Sequence, residues 1–114
     1  MALPPAPLSR FREANGLVYT SGQVYLSEGK LLEGTFEEKV HQVMKNLDSI
    51  LKEAGTSFDK VLKATIYVTD MANYAKVNEI YTTYFSGSFP AREVVCVKEL
   101  PLGAEVEISM VASK

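Results

Sequence analysis

Two short segments near the C-terminus, FPAR (residues 89–92) and LPLGAEVEI (residues 100–108), organise the rest of the chain. The first places Arg92 shortly after a proline, at the start of a predicted strand, and the second places Glu107 inside the next predicted strand. An arginine guanidinium offers a planar fork of donors that fits a carboxylate. A strand glutamate that points away from the core can hold and polarise a water. The pair predicts a small site that binds an acid and hydrolyses a bond beside it.

Spacing alone leaves a second interpretation open, because an arginine and a glutamate near strand ends commonly form a surface ion pair that contributes little to stability. The last strand alternates apolar and polar residues, which puts Glu107 on its less apolar face. If residues 93–112 form a plain hairpin around a turn at 101–102, Glu107 lies opposite Cys96, about 13 Å along the strand from Arg92. We therefore expect Arg92 to meet a Glu107 that other folding, or another subunit, brings to it.

Two helices are predicted upstream of these segments. The first begins at Thr35, which forms a capping-box pattern with Glu38, and it ends before Gly55. Its apolar residues recur at helical spacing and predict one buried stripe: Val40, Val43, Met44, Leu47, Ile50, Leu51 and Ala54. The second helix is capped by Asp70 or Asn73 and runs to about Phe85. Its predicted stripe consists of Tyr74, Val77, Tyr81, Tyr84 and Phe85.

Three further residues carry signals of a site. Asn78 falls among the apolar positions of the second helix, where an unpaired buried amide would cost about 1–3 kcal/mol. We expect it to bond either to a neighbouring loop or within a site. Ser21 and Gly22 interrupt a predicted strand over residues 17–23. Glycine inside a strand often marks a close approach by a ligand or another backbone, whereas the Ser21 hydroxyl either satisfies local backbone or lines a site.

The remaining segments predict strands at 9–14, 61–69, 93–98 and 105–112, a tight turn at Asn15-Gly16 and a loop at 27–30. In the strand at 61–69, Leu62 is expected on the apolar face. Strands, helix, strand, helix and two strands in this order indicate an α+β layer, with both helices on one side of a mixed sheet. The other face of the sheet would be bare, which on a small domain suggests a partner chain.

The composition suits one soluble globular domain over residues 1–114, with residues 1–8 as an extended, proline-rich arm. A net charge of −2 without basic runs argues against a nucleic-acid partner. Cys96 and His41 are the single residues of their types, so no Cys/His metal pattern exists; we expect Cys96 to be buried and His41 to lie alone on the surface. No segment suggests a membrane span, and the cytoplasm is the expected location, or an organelle if a targeting segment was removed.

Four segments resemble those of the Rid family, the reactive intermediate deaminases also called YjgF, in the family's order and approximate spacing. They cover residues 18–23, 63–71, 77–81 and 89–108, and the resemblance runs from about residue 15 to residue 112. It implies a chorismate mutase-like fold with a mixed six-stranded sheet and two helices on one face. It also implies a homotrimer whose sites lie in the clefts between subunits.

The Rid family hydrolyses reactive imines and enamines, notably 2-iminobutanoate and 2-iminopropanoate, to 2-oxo acids and ammonia, without a metal or organic cofactor. By this resemblance Arg92 would bind the substrate carboxylate and Glu107 would activate the water. Further residues would line or support the site: Ser21, Gly22, Asn78 and the main chain of Val94. An imine is already electrophilic, so holding it beside a water removes much of the barrier without a covalent nucleophile.

The chain departs from the family pattern at three positions: Leu8 where a tyrosine is usual, Glu93 where a small residue is usual, and Val94 where a cysteine is frequent. Two alternatives to the deaminase remain open. One is a non-catalytic regulatory module that binds small carboxylic acids at Arg92. The less favoured one is the endoribonuclease or translation-inhibitor activity attributed to some relatives, against which the acidic net charge weighs.

Overall fold

A computed structural model describes residues 6–114, so most of the expected arm over residues 1–8 lies outside the described residues. Within that range the chain forms short strands and two α-helices. In chain order these are β1 (Phe11–Ala14), β2 (Leu17–Thr20), β3 (Leu26–Ser27), β4 (Lys30–Leu31), α1 (Phe36–Glu53), β5 (Val61–Val68), α2 (Tyr74–Thr82), β6 (Ala91–Cys96) and β7 (Val106–Ser113). The predicted α+β class, with two helices and a mixed sheet, is confirmed.

The main sheet has the strand order β1-β2-β7-β5-β6. β5 and β6 are parallel because α2 carries the chain back between them, whereas the other neighbours are antiparallel. β7 therefore inserts between β2 and β5. The hairpin considered for residues 93–112 is wrong, because β6 and β7 lie on opposite edges of β5.

The expectation of six strands in this sheet is also wrong, since the described residues give it five. After β2 the chain leaves the ladder, and Gln23 makes an isolated bridge to Ile108. β3 and β4 then pair with each other around Glu28 and Gly29, whose φ angles of 52° and 85° form a tight turn. The segment expected to be a loop is thus a small separate hairpin. The turn predicted at Asn15-Gly16 is confirmed, with both φ angles positive.

Both helices pack on one face of the sheet, and the core lies between the layers. Every member of the apolar stripe predicted for α1 is at most 4% exposed. The predicted capping box is present: the Glu38 N–H donates to Thr35 Oγ1 at 3.2 Å, and the Thr35 N–H donates to Glu38 Oε1 at 2.9 Å. Gly55 follows the helix with a φ of 83°, the left-handed conformation expected of a C-terminal stop.

Some boundaries and faces differ from the expectations for physical reasons. α2 ends at Thr82, because the N–H groups of Tyr84 and Phe85 bond to carbonyls three residues back, in tighter turns. A bulge at the start of β5 turns Leu62 outward, leaving it 51% exposed instead of on the apolar face. His41 is not alone on the surface, since its Nδ1 lies 2.8 Å from the Tyr84 hydroxyl. Cys96, expected to be buried, is exposed at the end of the edge strand β6.

Candidate functional site

Arg92 points to the helix face of the sheet. It pairs with Ala64 of β5, which is fully buried beneath the helices, and paired residues of neighbouring strands point to the same face. Its Nη2 donates to the Tyr74 hydroxyl at 3.3 Å. Its Cζ lies 5.7 Å from the centre of the Tyr74 ring and 5.2 Å from that of Tyr81. The guanidinium therefore contacts the rings of two tyrosines that lie about two turns apart on α2.

A surface cavity of about 260 Å³ opens beside Arg92. The FPAR segment supplies an apolar wall, Phe89 and Pro90, and α2 supplies Asn78, Tyr81 and Thr82. Arg92 is the one charged side chain among these lining residues. The volume lies below that of typical drug-sized sites, and the mixture of apolar walls with one cation suits a small organic acid. The structure therefore brings Asn78 to Arg92, as the sequence had suggested.

Glu107 lies on the opposite face of the sheet. It pairs with Tyr67, and its neighbours Val106 and Ile108 are fully buried on the helix face, so its carboxylate projects from the face that the helices leave open. Partial burial raises the pKa of the Glu107 carboxyl above its ordinary value, because desolvation disfavours the charged form. A carboxylate of raised pKa is a stronger base once ionised.

Gly22 makes room for that carboxylate. A Cβ atom placed on Gly22 would lie 2.6 Å from Glu107 Oε2 and 2.9 Å from its Cδ, which is far inside van der Waals contact. The close approach that the sequence had suggested for this glycine is therefore made by a side chain. The adjacent Ser21 uses its hydroxyl locally, donating to the Ser9 carbonyl at 2.5 Å, which is the backbone-satisfying role considered for it.

Within one chain, the structure does not bring Arg92 and Glu107 together. Their strands are separated by β5, and the register places Glu107 level with Val95, not with Arg92. Two strand spacings and three residues of rise separate the two Cα positions by about 14 Å. The side chains also point to opposite faces. One chain therefore carries two half-sites, an Arg92–Asn78 half and a Glu107–Gly22 half.

The main chain of Val94 faces away from the sheet. The Val97 N–H donates to the Val68 carbonyl at 2.8 Å, and successive residues of a strand direct their N–H and C=O groups to alternate sides. The groups of Val95 therefore face β5, and those of Val94 face outward from the edge strand. Outward groups on an edge strand are free to bind a ligand or another chain.

Glu93 does not compete for Arg92, although the two are adjacent in sequence. Its Oε1 lies 2.8 Å from Lys63 Nζ on the open face of the sheet. The hydrogen bond and charge of Lys63 lower the pKa of the Glu93 carboxyl, so Glu93 is ionised and held by Lys63 at neutral pH. The departure from a small residue at this position therefore leaves the Arg92 half-site unobstructed.

Sequence reasoning missed the role of Tyr74 and Tyr81, which it assigned to the apolar stripe of α2. Tyr81 is buried as expected, but Tyr74 is 40% exposed and its hydroxyl is bonded to Arg92. The available signal was that two phenol groups flank Asn78 on one helix face, a pattern that brings polar atoms as well as apolar surface.

No group of three or more His, Cys, Asp or Glu side chains within residues 6–114 is arranged to hold a metal ion. In the same part of the chain, neither helix has the length and apolar character needed to cross a lipid bilayer.

Known proteins are similar to this chain in sequence and in fold over most of their own length. A family model described as endoribonuclease L-PSP matches residues 2–114. A RutC family protein of Aquifex aeolicus is 48% identical, covering 98% of this chain and 92% of that protein. The 2-iminobutanoate/2-iminopropanoate deaminase of Mus musculus is 45% identical, covering 93% of this chain and 80% of the deaminase. A crystal structure of a Rid family protein of unknown function, YyfA from Yersinia pestis, superposes with a TM-score of 0.94 at 43% identity, covering 97% of this chain and 90% of that one.

Proposed function

The chain belongs to the endoribonuclease L-PSP family, which includes the Rid proteins, and we propose that it is a hydrolytic deaminase of reactive 2-imino and enamine acids. The proposed substrates are 2-iminobutanoate and 2-iminopropanoate, and the products are the 2-oxo acids and ammonia. The observation that carries the proposal is a single cation, Arg92, in a cavity sized for a small acid. The partly buried Glu107 carboxylate, whose pKa is raised, supports it. The name of the mouse relative supports the substrate class.

In the proposed reaction, the Arg92 guanidinium binds the substrate carboxylate and fixes the C=N bond beside a water. Glu107 takes a proton from that water as its oxygen bonds to the imine carbon, the electron pair of the C=N bond moves to the nitrogen, and Glu107 gives that nitrogen the same proton. In the resulting carbinolamine, Glu107 then takes the hydroxyl proton as the C=O bond forms and the C–N bond breaks. It passes this proton to the leaving nitrogen, which departs as ammonia, so no other reactant is consumed.

We also propose that the protein assembles into a homotrimer, because the two half-sites lie on opposite faces of one chain. In a homotrimer, Glu107 of one copy would face the Arg92 cavity of its neighbour and complete the site. Exposed apolar side chains on the open face, such as Val95 at 39% and Tyr19 at 47% exposure, support contact with another copy. The outward main chain of Val94 lies at the same boundary and would line the completed site.

A trapping assay tests the activity. An amino-acid oxidase generates the imine in the presence of semicarbazide, and a deaminase that consumes the imine lowers semicarbazone formation. Wild-type protein is expected to suppress trapping, whereas Arg92→Ala and Glu107→Ala are not. Failure of folded wild-type protein to suppress trapping of several 2-imino acids would overturn the proposed activity.

Mixing the two inactive variants tests the shared site. If each site takes Arg92 from one copy and Glu107 from another, subunit exchange between equal amounts of Arg92→Ala and Glu107→Ala restores about one quarter of the wild-type activity. Sites built within single chains stay inactive in every mixture. Light scattering on the same samples gives the mass, and a monomer at micromolar concentration would contradict the trimer.

The same variants separate the proposed enzyme from an acid-binding module. If the protein only binds acids, Glu107→Ala binds 2-oxobutanoate with wild-type affinity, and the wild-type protein itself hydrolyses no imine. The family description also includes an endoribonuclease; RNA cleavage that vanishes with Arg92→Ala would favour that activity instead. We propose that the deaminase acts in the cytoplasm, or in an organelle if a targeting segment was removed.

A further inference from the structure

The Tyr81 hydroxyl is buried without a hydrogen-bond partner among the described residues. The residue is only 3% exposed, and it lines the Arg92 cavity. A buried polar group left unpaired costs free energy, so such groups are rare in folded proteins and each one needs an explanation. Asn78 also lines this cavity, and its buried Oδ1 likewise has no hydrogen-bond partner among the described residues.

The environment keeps the Tyr81 hydroxyl neutral. Burial raises the pKa of Tyr81 to about 12, and the positive charge of Arg92 opposes this shift only in part. The phenol therefore keeps its proton throughout the physiological range and is available as a donor. The Arg92 Cζ lies 5.2 Å from the centre of the Tyr81 ring, so the guanidinium and the ring lie side by side.

We propose that Tyr81 is a ligand-binding residue whose hydroxyl donates a hydrogen bond to the carboxylate of the acid held by Arg92. This inference rests on the proposed function, because it takes Arg92 to be the carboxylate-binding residue. A carboxylate offers about four acceptor positions, and a guanidinium fork occupies two of them. The hydroxyl takes one that the fork leaves free, so ligand binding satisfies an atom that has no partner among the described residues.

Tyr74 has a different part in this arrangement. Its hydroxyl already accepts a hydrogen bond from Arg92 Nη2 at 3.3 Å, so it is a positioning residue that orients the guanidinium. The two tyrosines therefore have different roles: Tyr74 orients the Arg92 guanidinium, and Tyr81 contacts the ligand carboxylate. The class of ligand specified is a small organic acid whose carboxylate lies against Arg92.

Calorimetric titration of the full-length protein with 2-oxobutanoate tests the role of Tyr81. Tyr81→Phe keeps the ring beside Arg92 and removes the donor. A hydrogen bond to a charged group is strong enough that we expect the dissociation constant to rise roughly tenfold or more. Tyr84→Phe is the matched control, because Tyr84 lies just past the same helix and its hydroxyl contacts His41 outside the cavity lining. Its affinity for the acid is expected to equal that of wild type.

The unfolding temperature measured without ligand distinguishes a ligand-binding hydroxyl from a structural one, because the two roles predict different effects of Tyr81→Phe. Since Phe removes an unpaired buried hydroxyl, Tyr81→Phe should unfold at the wild-type temperature or above it. A structural hydrogen bond, in contrast, would make Tyr81→Phe less stable. Weaker acid binding together with unreduced stability supports the proposal.

Other outcomes overturn it in distinguishable ways. Wild-type affinity in Tyr81→Phe, with binding abolished by Arg92→Ala, removes the role of Tyr81 and leaves the proposed function intact. Lower stability of Tyr81→Phe with unchanged affinity assigns the hydroxyl to the fold. Absence of acid binding by the wild-type protein removes the Arg92 site itself, and the proposed function falls with it.

Discussion

Substituting Gly22 by alanine tests the position of the Glu107 carboxylate more directly than removing the carboxylate does. The added methyl carbon would lie 2.6 Å from Glu107 Oε2, whereas ordinary contact begins near 3.4 Å, so the carboxylate must retreat by roughly 0.8 Å. The Glu107 side chain is flexible enough to move. The φ of Gly22 is not positive, so alanine can adopt the same backbone conformation and the backbone need not shift. Displacements of about 1 Å from the reacting atoms cost roughly 100-fold in rate.

We therefore expect Gly22→Ala to lower kcat/KM in the trapping assay by about 100-fold. Its unfolding midpoint should stay within about 4 °C of wild type, which corresponds to less than about 1 kcal/mol. Gly87→Ala is the matched control, because a Cβ on Gly87 meets nothing within 4 Å. Full activity in a folded Gly22→Ala protein would refute the reasoning, since it would show that hydrolysis tolerates a displaced Glu107.

Three further outcomes are expected. Glu107→Gln should abolish hydrolysis and raise the unfolding midpoint at about pH 8 but not at about pH 4. The pKa of Glu107 is raised by folding, so ionisation destabilises the wild-type fold as pH rises through that pKa, and equal shifts at both pH values in thermal scans would contradict this. Arg92→Lys keeps the charge but loses the planar fork, and calorimetry should show about tenfold weaker binding of 2-oxobutanoate. Thr35→Ala removes the α1 cap and should cost about 1 kcal/mol in urea unfolding without changing kcat; an unchanged urea midpoint would contradict the cap.

Local signals predicted the elements well where one physical effect dominates. The α1 stripe and the Thr35 capping box depend only on residues within a few turns of each other, and both are confirmed. The Asn15-Gly16 turn is similar, because its conformation requires positive φ angles that few residues adopt.

Partners distant in sequence were harder to predict. The hairpin considered for the last two strands failed because neither strand pattern encodes which neighbour it will have. β6 became parallel to β5 through the α2 crossover, and β7 took the other edge of β5. The sequence suggested Arg92 and Glu107 as site residues but not their geometry: the two side chains lie on opposite faces of the sheet, which becomes apparent only once the register is known. A one-residue bulge beside Leu62 likewise reversed that residue's face.

Tyr74 and Tyr81 show a further limit of pattern reading. A tyrosine at helical spacing satisfies an apolar stripe, and nothing in the spacing says whether its hydroxyl ends in solvent, on Arg92 or unpaired in a cavity wall. The distinction came from burial and from the location of Arg92, a residue of a different strand.

The central position of β7 bears on how the protein is made by the ribosome. β7 is synthesised after the other four strands of this sheet, yet it joins the β1–β2 ribbon to the β5–α2–β6 unit. A nascent chain that lacks β7 therefore holds two fragments with no strand between them, each with an open edge that can pair with another chain. The sheet can be completed only after β7 has emerged from the ribosome, and the glutamate proposed to activate water arrives with that strand. A chain that stops before β7 accordingly has neither a continuous sheet nor Glu107.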